Sequence, residues 1–85
     1  MKIIKDKILE KNKQYKNIHF VRCYNDGARL TKCIWKTGMW KRGLFKRGTW
    51  LNGVWDWGWF KFSTWEDGHW KNGFREDKEK KGFLK

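Results

Sequence analysis

From Ile18 onward, apolar and polar positions recur at an interval of five residues. Written in fives the chain runs IHFVR, CYNDG, ARLTK, CIWKT, GMWKR, GLFKR, GTWLN, GVWDW, GWFKF, STWED, GHWKN and GFRED, covering 18–77. A small residue opens nearly every unit. From Cys33 onward an aromatic stands two places later: Trp35, Trp40, Phe45, Trp50, Trp55, Phe60, Trp65 and Trp70. An odd interval excludes a plain strand, because alternation would send successive rings to opposite faces. The chain must therefore change direction every five residues. A β-solenoid does this with the opener and third residue pointing inward, which buries every third-position ring in a monomer. The alternative is an antiparallel meander of three-residue strands, with Arg-Gly, Asn-Gly and Asp-Gly as two-residue turns. The meander leaves its row of Trp uncovered. The expected fold is thus all-β, a small solenoid before a meander.

Residues 1–17 precede this register. Ile3, Ile4, Ile8 and Leu9 recur at helical spacing, with Lys5, Asp6, Lys7, Glu10 and Lys11 on the other side, so 2–16 read as an amphipathic helix. A helix this short needs a docking surface. Capping the open end of the repeat array supplies one, and a free basic arm is the alternative. Residues 78–85 (KEKKGFLK) break the register and read as a basic, frayed tail.

ARLTK at 28–32, and CIWKT after it with an aromatic centre, resemble the pentapeptide-repeat family, whose units read small–x–Leu/Phe–x–x. The resemblance spans 18–77 and implies a right-handed quadrilateral β-helix, with four units per coil and three coils. The chain departs from the family in lacking Asp or Asn at second positions and in using Trp for the central Leu. A Gly opener in place of Ala offsets part of the extra ring volume. The string G-x-W-x-N-G at 48–53 and 68–73 is also similar to MORN repeats, which form antiparallel sheets.

Rings at third positions belong to the core and cannot stack on a ligand. The out-of-phase rings, Trp57, Trp59, Phe62 and Phe74, are the candidates for binding. In the square coil that the resemblance implies, residues twenty apart share a column. One face then carries His19, Met39 and Trp59 beside Val21, Lys41 and Lys61, and beside Arg22, Arg42 and Phe62. Trp57 stands at its corner, and Lys46 and Arg47 lie on the next face. Cations interleaved with exposed rings suit a nucleic-acid strand, although Trp and Arg also anchor protein interfaces. A further column of Ile34, Val54 and Phe74 suggests a protein contact, or ordinary β-propensity on a solenoid wall.

Composition narrows the partners. Among 85 residues there are 21 Lys+Arg against 9 Asp+Glu, a net charge of +12. Such an excess favours nucleic acid, anionic lipid or an acidic protein surface, and it also serves solubility. Eight Trp and six Phe supply a dense core for so small a domain. Cys23 and Cys33 are openers and read as buried thiols. With His19 and His69 they match no zinc spacing, so no metal or cofactor is expected. No nucleophile–base pair or phosphate-cradling Gly loop suggests catalysis. No apolar run reaches the roughly 20 residues of a membrane span, the start carries no secretory pattern, and residues 2–16 make a poor lipid anchor. A cytoplasmic, non-enzymatic module binding nucleic acid or a nucleoprotein is expected. The alternative is a protein-interaction module, such as a small accessory or inhibitor of phage type docked on an acidic surface of a nucleic-acid-handling machine. Pentapeptide-repeat proteins that imitate DNA present acidic surfaces, and this chain has the opposite sign. The oligomeric state is left open.

Overall fold

The computed structural model describes residues 1–78 and is built of strands alone. In chain order these are β1 (Lys2–Lys5), β2 (Gln14–Lys16), β3 (Ile18–Val21), β4 (Cys23–Thr31), β5 (Ile34–Trp35), β6 (Gly38–Lys46), β7 (Thr49–Trp50), β8 (Val54–Trp55), β9 (Trp59–Trp65), β10 (His69–Trp70) and β11 (Phe74–Asp77). Every pairing between them is parallel. The chain is a β-solenoid, and the antiparallel meander is excluded.

The coil is triangular, not square. Ile34 pairs with Thr49, Thr49 with Thr64, Met39 with Val54 and Leu44 with Trp59, a register of fifteen residues or three units. Residues fifteen apart therefore share a column, and the chain makes about five turns where three were expected. A square corner after each unit and a triangular one impose the same inward pattern on a single unit. They differ in which units stack. Trp35, Trp50 and Trp65 form one pile, with ring centroids 5.5 and 5.1 Å apart and planes within 6°. Trp40, Trp55 and Trp70 form a second, at 4.8 and 5.0 Å. Phe45 and Phe60 belong to a third, at 5.6 Å. The expected stacking of Trp40 on Phe60 and of Trp50 on Trp70 does not occur. Within a coil the three piles meet edge-on, as Trp40 and Phe45 do at 89°, so each ring offers its positive edge to a neighbour's negative face.

Three faces result. The first is made of β1, β3, β5, β7 and the end of β9. The second takes the starts of β4 and β6, then β8 and β10. The third takes β2, the ends of β4 and β6, the start of β9, and β11.

The expected N-terminal helix is a fifth of the solenoid instead. β1 pairs with β3, Ile8 bridges Tyr24, and β2 pairs with β4, so residues 2–16 form the first coil. Ile4 packs against the core and Leu9 and Tyr15 are buried within it, while Ile3 and Ile8 are exposed. The interval from Ile4 to Leu9 is already five. One extra residue then enters between Ile8 and Gln14, where the Lys13 amide donates to the Glu10 carbonyl at 3.2 Å. An open sheet edge offers this segment backbone partners that an isolated short helix lacks. Of the tail expected at 78–85, only Lys78 is described, and its amide donates to the Ser63 carbonyl at 2.8 Å. The remainder lies outside the described residues.

Corners are turned in two ways. At the corner entering the first face, Asn17, Lys32, Arg47 and Phe62 each take a left-handed φ of 48–56°, and the openers after them, Ile18, Cys33, Gly48 and Ser63, do not. At the other two corners the later openers are Gly with φ of 119–143°. The Gly serves the neighbouring coil's backbone first: a Cβ on Gly68 would lie 2.6 Å from the Gly53 carbonyl oxygen, and only then 3.1 Å from the Trp50 indole nitrogen. Ring volume, the reason expected from sequence, is the smaller part. Asn25 fills a third position by building a corner, its Oδ1 accepting from the Ala28 amide at 2.9 Å while its Nδ2 donates to the Ala28 and Arg42 carbonyls.

Candidate nucleic-acid interface

The third face collects most of the expected binding residues. Columns fifteen apart place Lys46 beside Lys61, Leu44 beside Trp59, and Trp59 beside Phe74. Arg47 and Phe62 stand at the corner where this face ends. Trp59 and Phe74 lie nearly parallel at 4.2 Å, and Trp57 meets Phe74 edge-on at 6.0 Å from the preceding corner. All four rings are open to solvent: Trp57 42%, Trp59 45%, Phe62 43% and Phe74 53% exposed. β-Structure orients Trp59 and Phe74, since the second residue of each unit points away from the core that receives the third, while Trp57 and Phe62, the last residues of their units, stand out at corners.

Cations fill the rest of the face. Lys16, Arg29, Lys32, Lys46, Arg47 and Lys61 line it from the first coil to the fourth, and no carboxylate joins them before Glu76 and Asp77 on the last. Among the described residues none of these six has an acid within ion-pair distance. Sequence reasoning passed over Lys16, Arg29 and Lys32, because a spacing of twenty put them elsewhere. The spacing of fifteen was written in the rings, whose third-position order reads Trp-Trp-Phe, Trp-Trp-Phe, Trp-Trp.

Other expected site residues are dispersed. Lys41 lies on the second face. Arg22 and Arg42 sit at corners and are committed to acids: Arg22 Nε donates to Asp6 Oδ1 at 2.7 Å, and Arg42 Nε to Asp26 Oδ1 at 2.6 Å. These hydrogen bonds, before any longer-range attraction, hold both carboxyls below the ordinary carboxylate value. The column expected of Ile34, Val54 and Phe74 does not exist: the three lie on the first, second and third faces in turn. His19 and Met39 are likewise on different faces from Trp59.

A depressed carboxyl stabilises the fold above its unfolded value and ceases to do so as pH falls through the folded value. Asp26→Asn is therefore expected to lower the melting temperature slightly at neutral pH and to match the parent chain once the pH has fallen through the depressed folded value of Asp26, where its carboxyl is protonated in the folded and the unfolded chain alike. Thermal denaturation followed across that range checks it. A deficit that persists at low pH would mean that the contact matters for packing and not for charge.

Cys23 and Cys33 are buried, unpaired thiols, and burial pushes the Cys33 thiol up. Arg75 occupies the third position of the last unit. Its guanidinium lies 5.0 Å from the Trp65 ring centre and 5.4 Å from that of Trp70, so a cation covers the end of the ring piles. Its Nε donates to Asp77 at 2.8 Å. No protein-family model, curated protein or solved structure matches the chain.

Proposed function

We propose that this protein is a non-enzymatic binding module for nucleic acid, alone or within a nucleoprotein, and that the third face is its contact surface. The observation that carries the reading is the concentration there of cations that have no acid within ion-pair distance among the described residues, together with solvent-exposed rings, while Arg22 and Arg42 elsewhere are neutralised by acids. Lys46 and Lys61 lie next to each other in one column, and Arg47 follows Lys46 at the corner. Rows of cations one sheet spacing apart, about 4.8 Å, can follow a phosphate backbone, and the rings offer flat surfaces to bases. The interval of five remains the basis for kinship with pentapeptide-repeat proteins, in unit length and not in coil shape.

The test is anisotropy of a labelled oligonucleotide titrated at several salt concentrations. Lys46→Gln with Lys61→Gln is expected to weaken binding about tenfold at low salt and to flatten the dependence of log K on log salt by roughly 1–1.5. Arg22→Gln and Arg42→Gln should change neither by more than about twofold. The absence of DNA or RNA binding at low salt would end this reading. Retention from lysate that survives nuclease and high salt would turn it toward an acidic protein partner.

A further inference from the structure

We infer that the strand this face accepts is single, its bases entering two grooves on the last two coils while its phosphates lie over the lysines and arginines behind them. The inference rests on the proposed function and names the form of its ligand. One shallow groove is lined by the stacked Trp59 and Phe74 together with Lys61, Arg75 and Glu76. The other is lined by Phe62, Arg47 and Lys78. Each combines a ring with cations, so each can hold a base against a π-face and a phosphate nearby.

Two features select against a duplex. Trp59 and Phe62 stand three residues apart on β9, about 10 Å along the strand. Bases in a double helix are stacked on each other about 3.4 Å apart, leaving no face free for either ring. A single strand can splay successive bases to reach both grooves. Glu76 is the second feature. A carboxylate at the rim of the first groove repels phosphate yet accepts hydrogen bonds from base amino groups, which orients the base inward and the backbone toward Lys61 and Lys46. The four exposed rings all belong to the last two coils, so the face grades from cationic to aromatic along the axis.

The experiment compares three labelled probes at low salt: a deoxycytidine strand of about eight nucleotides, a hairpin duplex with as many phosphates, and an abasic strand of the same length. The single strand is expected to bind at least about tenfold more tightly than the duplex or the abasic strand. Trp59→Ala should cost the deoxycytidine strand about five- to fiftyfold and leave the abasic strand unchanged. Circular dichroism of that variant shows whether the coil is intact, and Trp59→Phe, which keeps a ring, should restore most of the affinity. A duplex bound as well as the single strand, or an abasic strand bound as well as the deoxycytidine strand, overturns the inference and leaves the broader function standing. Failure of all three probes overturns both.

Discussion

Trp50→Ala is expected to lower the stability of this protein by about 3–5 kcal/mol, enough to unfold much of a domain whose total is of the order of 5–15 kcal/mol. Trp50 is fully buried at the middle of its pile, between Trp35 and Trp65 at 5.5 and 5.1 Å. It also meets Trp40, Phe45 and Trp55 edge-on. Truncation removes the largest side chain from a site whose walls are held in place by parallel ladders on all three faces, so the cavity cannot close by collapse. Urea denaturation of the two chains measures the difference. A loss below about 1 kcal/mol would mean that the piles are not the core. Trp59→Ala, by contrast, should change stability by no more than about 1 kcal/mol, because that ring is exposed on the outside of the same coil.

Gly53→Ala should be nearly as damaging, at roughly 2–5 kcal/mol. Gly53 has a φ of 124°, a conformation that alanine scarcely adopts, and a Cβ there would lie 2.5 Å from the Gly38 carbonyl oxygen. The methyl group has nowhere to go, since its neighbour is backbone in the coil below. Lys32→Gly should behave oppositely, costing nothing or stabilising by up to about 1 kcal/mol, because Lys32 already holds a left-handed φ of 56°. Chemical denaturation of both variants tests the two ways of turning a corner. Equal losses at the two positions would show that corner conformation is not what selects glycine.

Much of this architecture is legible in the residues themselves. An interval of five forces a turn per unit, and the third-position rings then have to be core. The number of units per coil is a different matter. A unit constrains only its own bend, and both a square and a triangular coil satisfy it. Evidence for three lay between units, in the order Trp-Trp-Phe and in the return of Cys33, Gly48 and Ser63 at one corner. Choosing four gathered His19, Met39 and Trp59 into one column, where the structure puts them on three different faces, and assembled an Ile34–Val54–Phe74 column that the structure does not contain. Lys46, Arg47, Trp59, Lys61 and Phe62 came together all the same, because they sit within one unit of each other along the chain or one coil apart. The N-terminal segment misled for another reason. Ile3, Ile4, Ile8 and Leu9 fit a helical stripe and a period of five equally well, and tertiary hydrogen bonding to β3 and β4 decided between them.

The single extra residue between Ile8 and Gln14 shows where this design tolerates length. It is absorbed in a bend, and the ladder resumes in phase at Gln14, opposite Arg29, so that Tyr15 falls beside Leu30. The same insertion inside Thr49–Trp50 or Val54–Trp55 would turn a ring out to water and a polar group in. Natural growth or shrinkage of such a chain would then proceed by slack at the vertices, or by whole circuits that leave every pile aligned.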